Sequence, residues 1–227
     1  MSQTSQSPMR EIVVQAGETG LPAFLSLPDD AVGLVAFVHG SGSSRFSSRN
    51  QFVAGVLNAG GLGTLLFDLL TPEENAIDMV TAELRFDIPM LGQRTVATVD
   101  WLTGQPQLTN LPLGLFGAST GAAAALHAAA ERPERVRAVV SRGGRPDLAM
   151  ADLPRVQTPT LLIVGGRDVP VIGMNEEAAR HLRAPHQLAI VEGATHLFEE
   201  PGTLEKAAGL ARDWFLRYLP ARAQTGD

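Results

Sequence analysis

The sequence predicts an α/β protein: one mainly parallel, eight-stranded sheet covered by helices on both faces, with no separate lid domain. Three observations carry this reading. Short apolar runs recur along the chain, from the third run onward they alternate with segments of helical periodicity, and residues suited to chemistry gather just behind them. The first two runs, Glu11 to Ala16 and Ala23 to Leu27, flank the turn-like Gly17 to Gly20, which suits an antiparallel pair. The next six are Leu34 to Val38, Gly63 to Phe67, Leu113 to Phe116, Val136 to Val140, Thr160 to Val164 and Gln187 to Val191. Longer stretches separate these runs, so the strands are expected to be parallel and buried on both faces. The predicted helices are Gln51 to Asn58, Leu91 to Leu102, Thr120 to Glu131, Asn175 to Leu182 and Leu204 to Tyr218. The alanines at 122–130 fit a helix packed tightly against the sheet, because small side chains allow close approach. The segment Ile77 to Met90 mixes Met79, Val80, Leu84, Phe86, Ile88 and Met90 with charges, and is expected to wall an apolar pocket. Only Ser141 to Pro159 separate the sixth and seventh strands, too little for a lid, so an open, shallow site is expected.

The chain has 227 residues, 44% of them hydrophobic and 19% charged, which is ordinary globular composition. A single domain over 11–219 is expected, with flexible tails at 1–10 and 220–227. The net charge of −6 and the lack of a basic block argue against a nucleic-acid partner. No apolar run is long enough to span a bilayer, and the polar first ten residues lack a signal peptide's apolar stretch, so a cytoplasmic protein without a membrane partner is expected. A homodimer is compatible with the sequence, although nothing marks an interface. Cysteine is absent, which excludes thiolate metal sites, disulfides and a cysteine nucleophile. Lys206 is the only lysine, so neither a P-loop nor a lysine Schiff base has a candidate. Gly40 and Gly42 hint at a dinucleotide loop, but Ser44 and Arg45 occupy the place of the third glycine, and no cofactor is expected.

The most informative stretch is Gly117-Ala118-Ser119-Thr120-Gly121, between an apolar run and the alanine-rich helix. A serine at the tip of a strand-to-helix turn needs small neighbours in a crowded backbone, and the turn pushes its hydroxyl outward. The following helix aims unpaired N–H groups at any negative charge developing there. Three further segments follow strands: His39-Gly40-Ser41-Gly42, Asp168 and His196. In a parallel sheet, all four lie along one edge, beyond the carboxyl ends of the strands.

With eight strands and these four segments in the order Ser, Asp, His, residues 11–219 resemble an α/β-hydrolase, and the compact layout is similar to the dienelactone hydrolase branch. The resemblance implies a serine hydrolase acting on carboxylic esters, short-chain esters or lactones, through an acyl-enzyme. Ser119 is the implied nucleophile, His196 the base and then acid, and Asp168 the orienting carboxylate. The backbone N–H groups of Ser41 and Thr120 are the implied oxyanion donors. Dienelactone hydrolases carry cysteine as nucleophile, and Ser119 departs from that pattern, which favours a general carboxylesterase. Acyl transfer or perhydrolysis on the same triad, and a non-catalytic ligand-binding protein on the same fold, are the alternatives.

Asp147, behind the sixth strand, is the reserve acid. His39 is expected to shape the oxyanion loop by hydrogen bonds and to transfer no proton. His127, His181 and His186 are scattered, and no metal is expected. Arg45 and Arg49 follow the third strand, Arg142 and Arg145 the sixth, and Arg85 lies beyond the fourth. Of these, Arg45, Arg142 and Arg145 are candidates to clamp a carboxylate on a small-molecule ester substrate.

Overall fold

The computed structural model describes residues 9–220, so most of the two predicted tails, 1–8 and 221–227, lies outside the described residues. Arg10, assigned to a tail from sequence, opens the first strand instead. The strands are β1 (Arg10–Ala16), β2 (Thr19–Ser26), β3 (Leu34–Val38), β4 (Gly63–Phe67), β5 (Leu113–Ala118), β6 (Val136–Arg142), β7 (Thr160–Gly165) and β8 (His186–Val191). They form one sheet in the order β1-β2-β4-β3-β5-β6-β7-β8. β1 runs antiparallel to β2, and β2 antiparallel to β4, while β3 to β8 and β4 share one direction. The tight turn at Gly17 and Glu18 sets the β1–β2 register at Ala16 opposite Thr19.

The helices are α1 (Ser48–Ala59), α2 (Pro72–Thr81), α3 (Ile88–Gly104), α4 (Gly121–Glu131), α5 (Val169–His181) and α6 (Thr203–Tyr218). Side chains alternate along each strand, so a central strand feeds two cores. In β3, Leu34, Ala36 and Val38 join the layer of α3, α4 and α5, whereas Val35 and Phe37 join that of α1 and α6. All five are buried, as a strand covered on both faces requires. The α4 alanines from Ala122 to Ala125 are fully enclosed. No described helix is long and apolar enough to cross a membrane.

The segment 77–90 corrects one expectation. Its first part is α2, started by Thr71, whose hydroxyl accepts the Glu74 amide while Glu74 accepts the Thr71 amide. Ile77, Met79, Val80 and Phe86 face solvent, each more than half exposed, and so do not wall a pocket. Buried Asp78 and its partner Arg85 anchor the segment instead.

From β3 the chain passes to β4 on one side, and from β4 through α2 and α3 to β5 on the other. The loops behind β3 and β5 therefore diverge at the sheet's topological switch point, where a crevice opens.

Candidate active site

Ser119 follows β5 with φ +50, a left-handed conformation that is uncommon and strained for a residue with a side chain. The flanking glycines are sterically required. A Cβ on Gly117 would sit 2.4 Å from Ala122 Cα, and one on Gly121 would sit 2.2 Å from the Val38 carbonyl oxygen. The end of β6 clamps the turn: the Ser119 amide donates to the Arg142 carbonyl at 3.2 Å, and the Ser119 carbonyl accepts from the Arg145 amide at 3.0 Å.

Asp168 stands at the N-cap position of α5, yet its side chain makes no capping bond. Its carboxylate instead accepts from His196 Nδ1 at 2.6 Å. With Nδ1–H donated to Asp168, the neutral imidazole keeps Nε2 as an acceptor. Ser119 and His196 border one cavity of about 250 Å³. The described residues show no direct hydrogen bond between them. The loop carrying His196 is fixed locally: the Thr195 amide donates to Glu200 Oε2 at 3.0 Å. Phe198 holds φ +56 and buries its ring under the Arg142 guanidinium, 5.6 Å from carbon to ring centre. Asp147, the reserve acid, is bound to Arg145 at 2.9 and 2.8 Å, and its partner is therefore not His196.

Behind β3, the Ser41 amide donates to Thr120 Oγ1 at 2.9 Å, so the loops on either side of Ser119 are tied together. The Thr120 amide has no partner among the described residues. His39 Nε2 accepts the Leu69 amide at 3.0 Å and Nδ1–H donates to the Gly40 carbonyl at 2.9 Å, which fixes a neutral tautomer and joins the loops behind β3 and β4. Burial holds its pKa below the ordinary histidine value.

The arginines divide sharply. Arg45 pairs with Asp68 and Glu11 and lies against the rings of Phe24 and Phe46, and Arg145 is paired with Asp147. These contacts correct the expected three-arginine clamp, because two of its guanidinium groups already serve protein carboxylates. Arg142 is different. It is 8% exposed, it borders the Ser119 cavity, and its buried Nε and Nη1 have no hydrogen-bond partner. Burial, with the nearby Arg49 charge, lowers its pKa to about 10, so it remains a cation at neutral pH.

One polar cluster lies away from this edge and escaped sequence reasoning: His127, Glu131 and Asp152, whose potential ligand atoms lie within 4.8 Å of one another. His127 and Glu131 are four residues apart on α4, the spacing that would have revealed them. Arg155 Nη2 reaches Glu131 at 2.8 Å and Asp152 at 2.6 Å, so a protein cation already occupies the cluster.

The model of the dienelactone hydrolase family matches residues 70–219, about two-thirds of the chain and inclusive of Ser119, Asp168 and His196. The chain belongs to the dienelactone hydrolase family. A crystal structure of a dienelactone hydrolase from Anabaena variabilis is 56% identical, with a TM-score of 0.93 over 94% of this chain and 99% of that one. The esterase domain of a Rhodothermus marinus protein, 19% identical, shares the fold with a TM-score of 0.73 over 93% of this chain and 99% of that one. Curated relatives from two Mycobacterium tuberculosis strains, named putative phosphoribosyl transferases, are 53% identical over 216 residues, 95% of this chain and 48% of theirs. The chain thus spans about half the length of those relatives. In this dienelactone hydrolase family member, the loops behind the strands lie at the carboxyl edge of the sheet, where parallel sheets bind their ligands.

Proposed function

We propose that this protein hydrolyses carboxylic esters, short-chain esters or lactones, through Ser119, His196 and Asp168. The observation that carries the reading is the strained Ser119 opening onto the same cavity as His196, whose other nitrogen Asp168 holds. Ser119 Oγ attacks the ester carbonyl as His196 Nε2 takes its proton. The tetrahedral intermediate collapses with cleavage of the carbon–oxygen ester bond, and the same proton passes to the departing alkoxide. Water then repeats the sequence on the acyl-enzyme, releasing the acid. Asp168 stabilises the imidazolium in both halves. The Thr120 and Ser41 amides receive the oxyanion. For Ser41 this displaces the neutral Thr120 hydroxyl, and a full negative charge is the stronger acceptor. The transferase name of the mycobacterial relatives belongs to proteins of which this chain covers 48%, and it is not carried over to this chain.

The test is turnover of a short-chain chromogenic ester panel. Ser119→Ala and His196→Ala are each expected to lower kcat by about 10⁴-fold or more, and Asp168→Asn by roughly 10²- to 10⁴-fold. Folded Ser119→Ala with undiminished turnover would remove the triad assignment. Hydrolysis that gives way to ester exchange or peracid formation on adding alcohol or peroxide would move the reading to acyl transfer.

A further inference from the structure

The cavity beside Ser119 has one wall that the triad does not use. Arg142 reaches it from the end of β6, and the first turn of α1 faces it with Ser47, Arg49 and Asn50. Ser43 adds a hydroxyl from the loop behind β3. No carboxylate borders this space, and no acidic residue stands in the first turn of α1. One cation here is buried without a hydrogen-bond partner: Arg142 has Nε and Nη1 unmet. The Phe198 ring lies against this cation, but no carboxylate does, and a buried guanidinium with unmet N–H groups is costly, so an anion is the missing complement. Arg49 strengthens the argument. Its pair with Glu199, at 3.4 Å between exposed side chains, is weak and solvent-screened, and its charge lies close enough to Arg142 to repel it. A ligand anion between the two relieves that repulsion.

We propose that this wall is a phosphate subsite, and that the substrate hydrolysed at Ser119 carries a phosphate group seated on Arg142, Arg49 and the N-terminus of α1. The donors converge from two elements and a loop, and they include two guanidinium groups and several hydroxyls. That is more than the two oxygens of a planar carboxylate engage, and it suits a tetrahedral group with three terminal oxygens and up to two charges. The inference rests on the ester-hydrolase reading for its account of what is cleaved, but the subsite itself can be measured without turnover.

The experiment is isothermal titration of inorganic phosphate into the Ser119→Ala protein at low ionic strength, with succinate as the carboxylate comparison. One phosphate per chain is expected to bind, and Arg142→Met and Arg49→Gln, each in that background, are expected to weaken it by about tenfold or more. Arg142→Met keeps an unbranched side chain over Phe198. Its melting temperature without phosphate is expected to exceed that of its parent, and its gain on adding phosphate to vanish. Arg49 is solvent-facing, so Arg49→Gln carries the test should the buried variant fail to fold. A folded parent that binds no phosphate overturns the proposal, as does phosphate affinity unchanged by the arginine substitutions. Succinate bound about tenfold more tightly than phosphate overturns the phosphate assignment in favour of a carboxylate. Loss of the ester-hydrolase reading would appear separately, as turnover surviving Ser119→Ala, and leaves the titration interpretable.

Discussion

His39 is held neutral by the contacts that make it useful. Its Nε2 must stay unprotonated to accept the Leu69 amide, and burial disfavours the charged ring, against a smaller opposing attraction from Asp68. The sign of the pH effect follows. The folded-state pKa lies below the unfolded value of about 6.5, so the unfolded chain takes up the proton first as pH falls. The stabilisation is complete above that value and is lost as pH drops through it toward the folded-state pKa. Denaturant midpoints measured from about pH 7 to about pH 5 should therefore fall for the wild type, with a shallower decline for His39→Gln. An equal decline in both would remove His39 from the account. At this scale, Ser119, Asp168 and His196 could be singled out as candidates because each is a reactive residue type in a loop behind a strand. The pairing state of the arginines was not legible. Asp68, which engages Arg45, lies 23 positions away, and only the folded sheet brings them together.

The most enclosed elements were the plainest in the sequence. α4 and the central strands, enclosed by protein, show continuous apolar or small-residue runs. α2 buries only Asp78 and so has no apolar stripe to reveal it. Its start was nonetheless written in Thr71-Pro72-Glu73-Glu74, a capping box with proline at the first helical position. α5 begins directly at Val169, six residues before its predicted start, because its first turn is exposed at Val169 and carries a proline. Two glycines on helices make opposite predictions. A methyl on Gly209 in α6 meets nothing within 4 Å, so Gly209→Ala should stabilise by about 0.5–1 kcal/mol through helix propensity. Gly121→Ala in α4 drives a methyl against the Val38 and His39 carbonyls and should cost on the order of 3 kcal/mol or more. Thermal melts of both variants check the pair, and equal shifts would contradict the packing described at the head of α4.

For the whole molecule, alternating runs were enough to anticipate a mostly parallel sheet, because parallel neighbours need long crossovers and the chain supplies them. Strand order was not readable, since the step from β4 back across β3 to β5 leaves no mark in local periodicity. That step opens the crevice, and adjacency within the sheet then sets a distance. β5 leads into Ser119, the proposed nucleophile, and β6 carries Arg142, with Ala118 in register beside Arg142 and the Ser119 amide bonded to the Arg142 carbonyl. The Ser119 hydroxyl and the Arg142 cation are thus fixed to one hydrogen-bonded ladder, not to independent loops. Such a pair measures molecules as a caliper does. In a series of esters bearing a terminal phosphate, lengthening the spacer one methylene at a time should give a sharp maximum in kcat/KM and a fall on either side, where a flexible pocket would show a gradual slope.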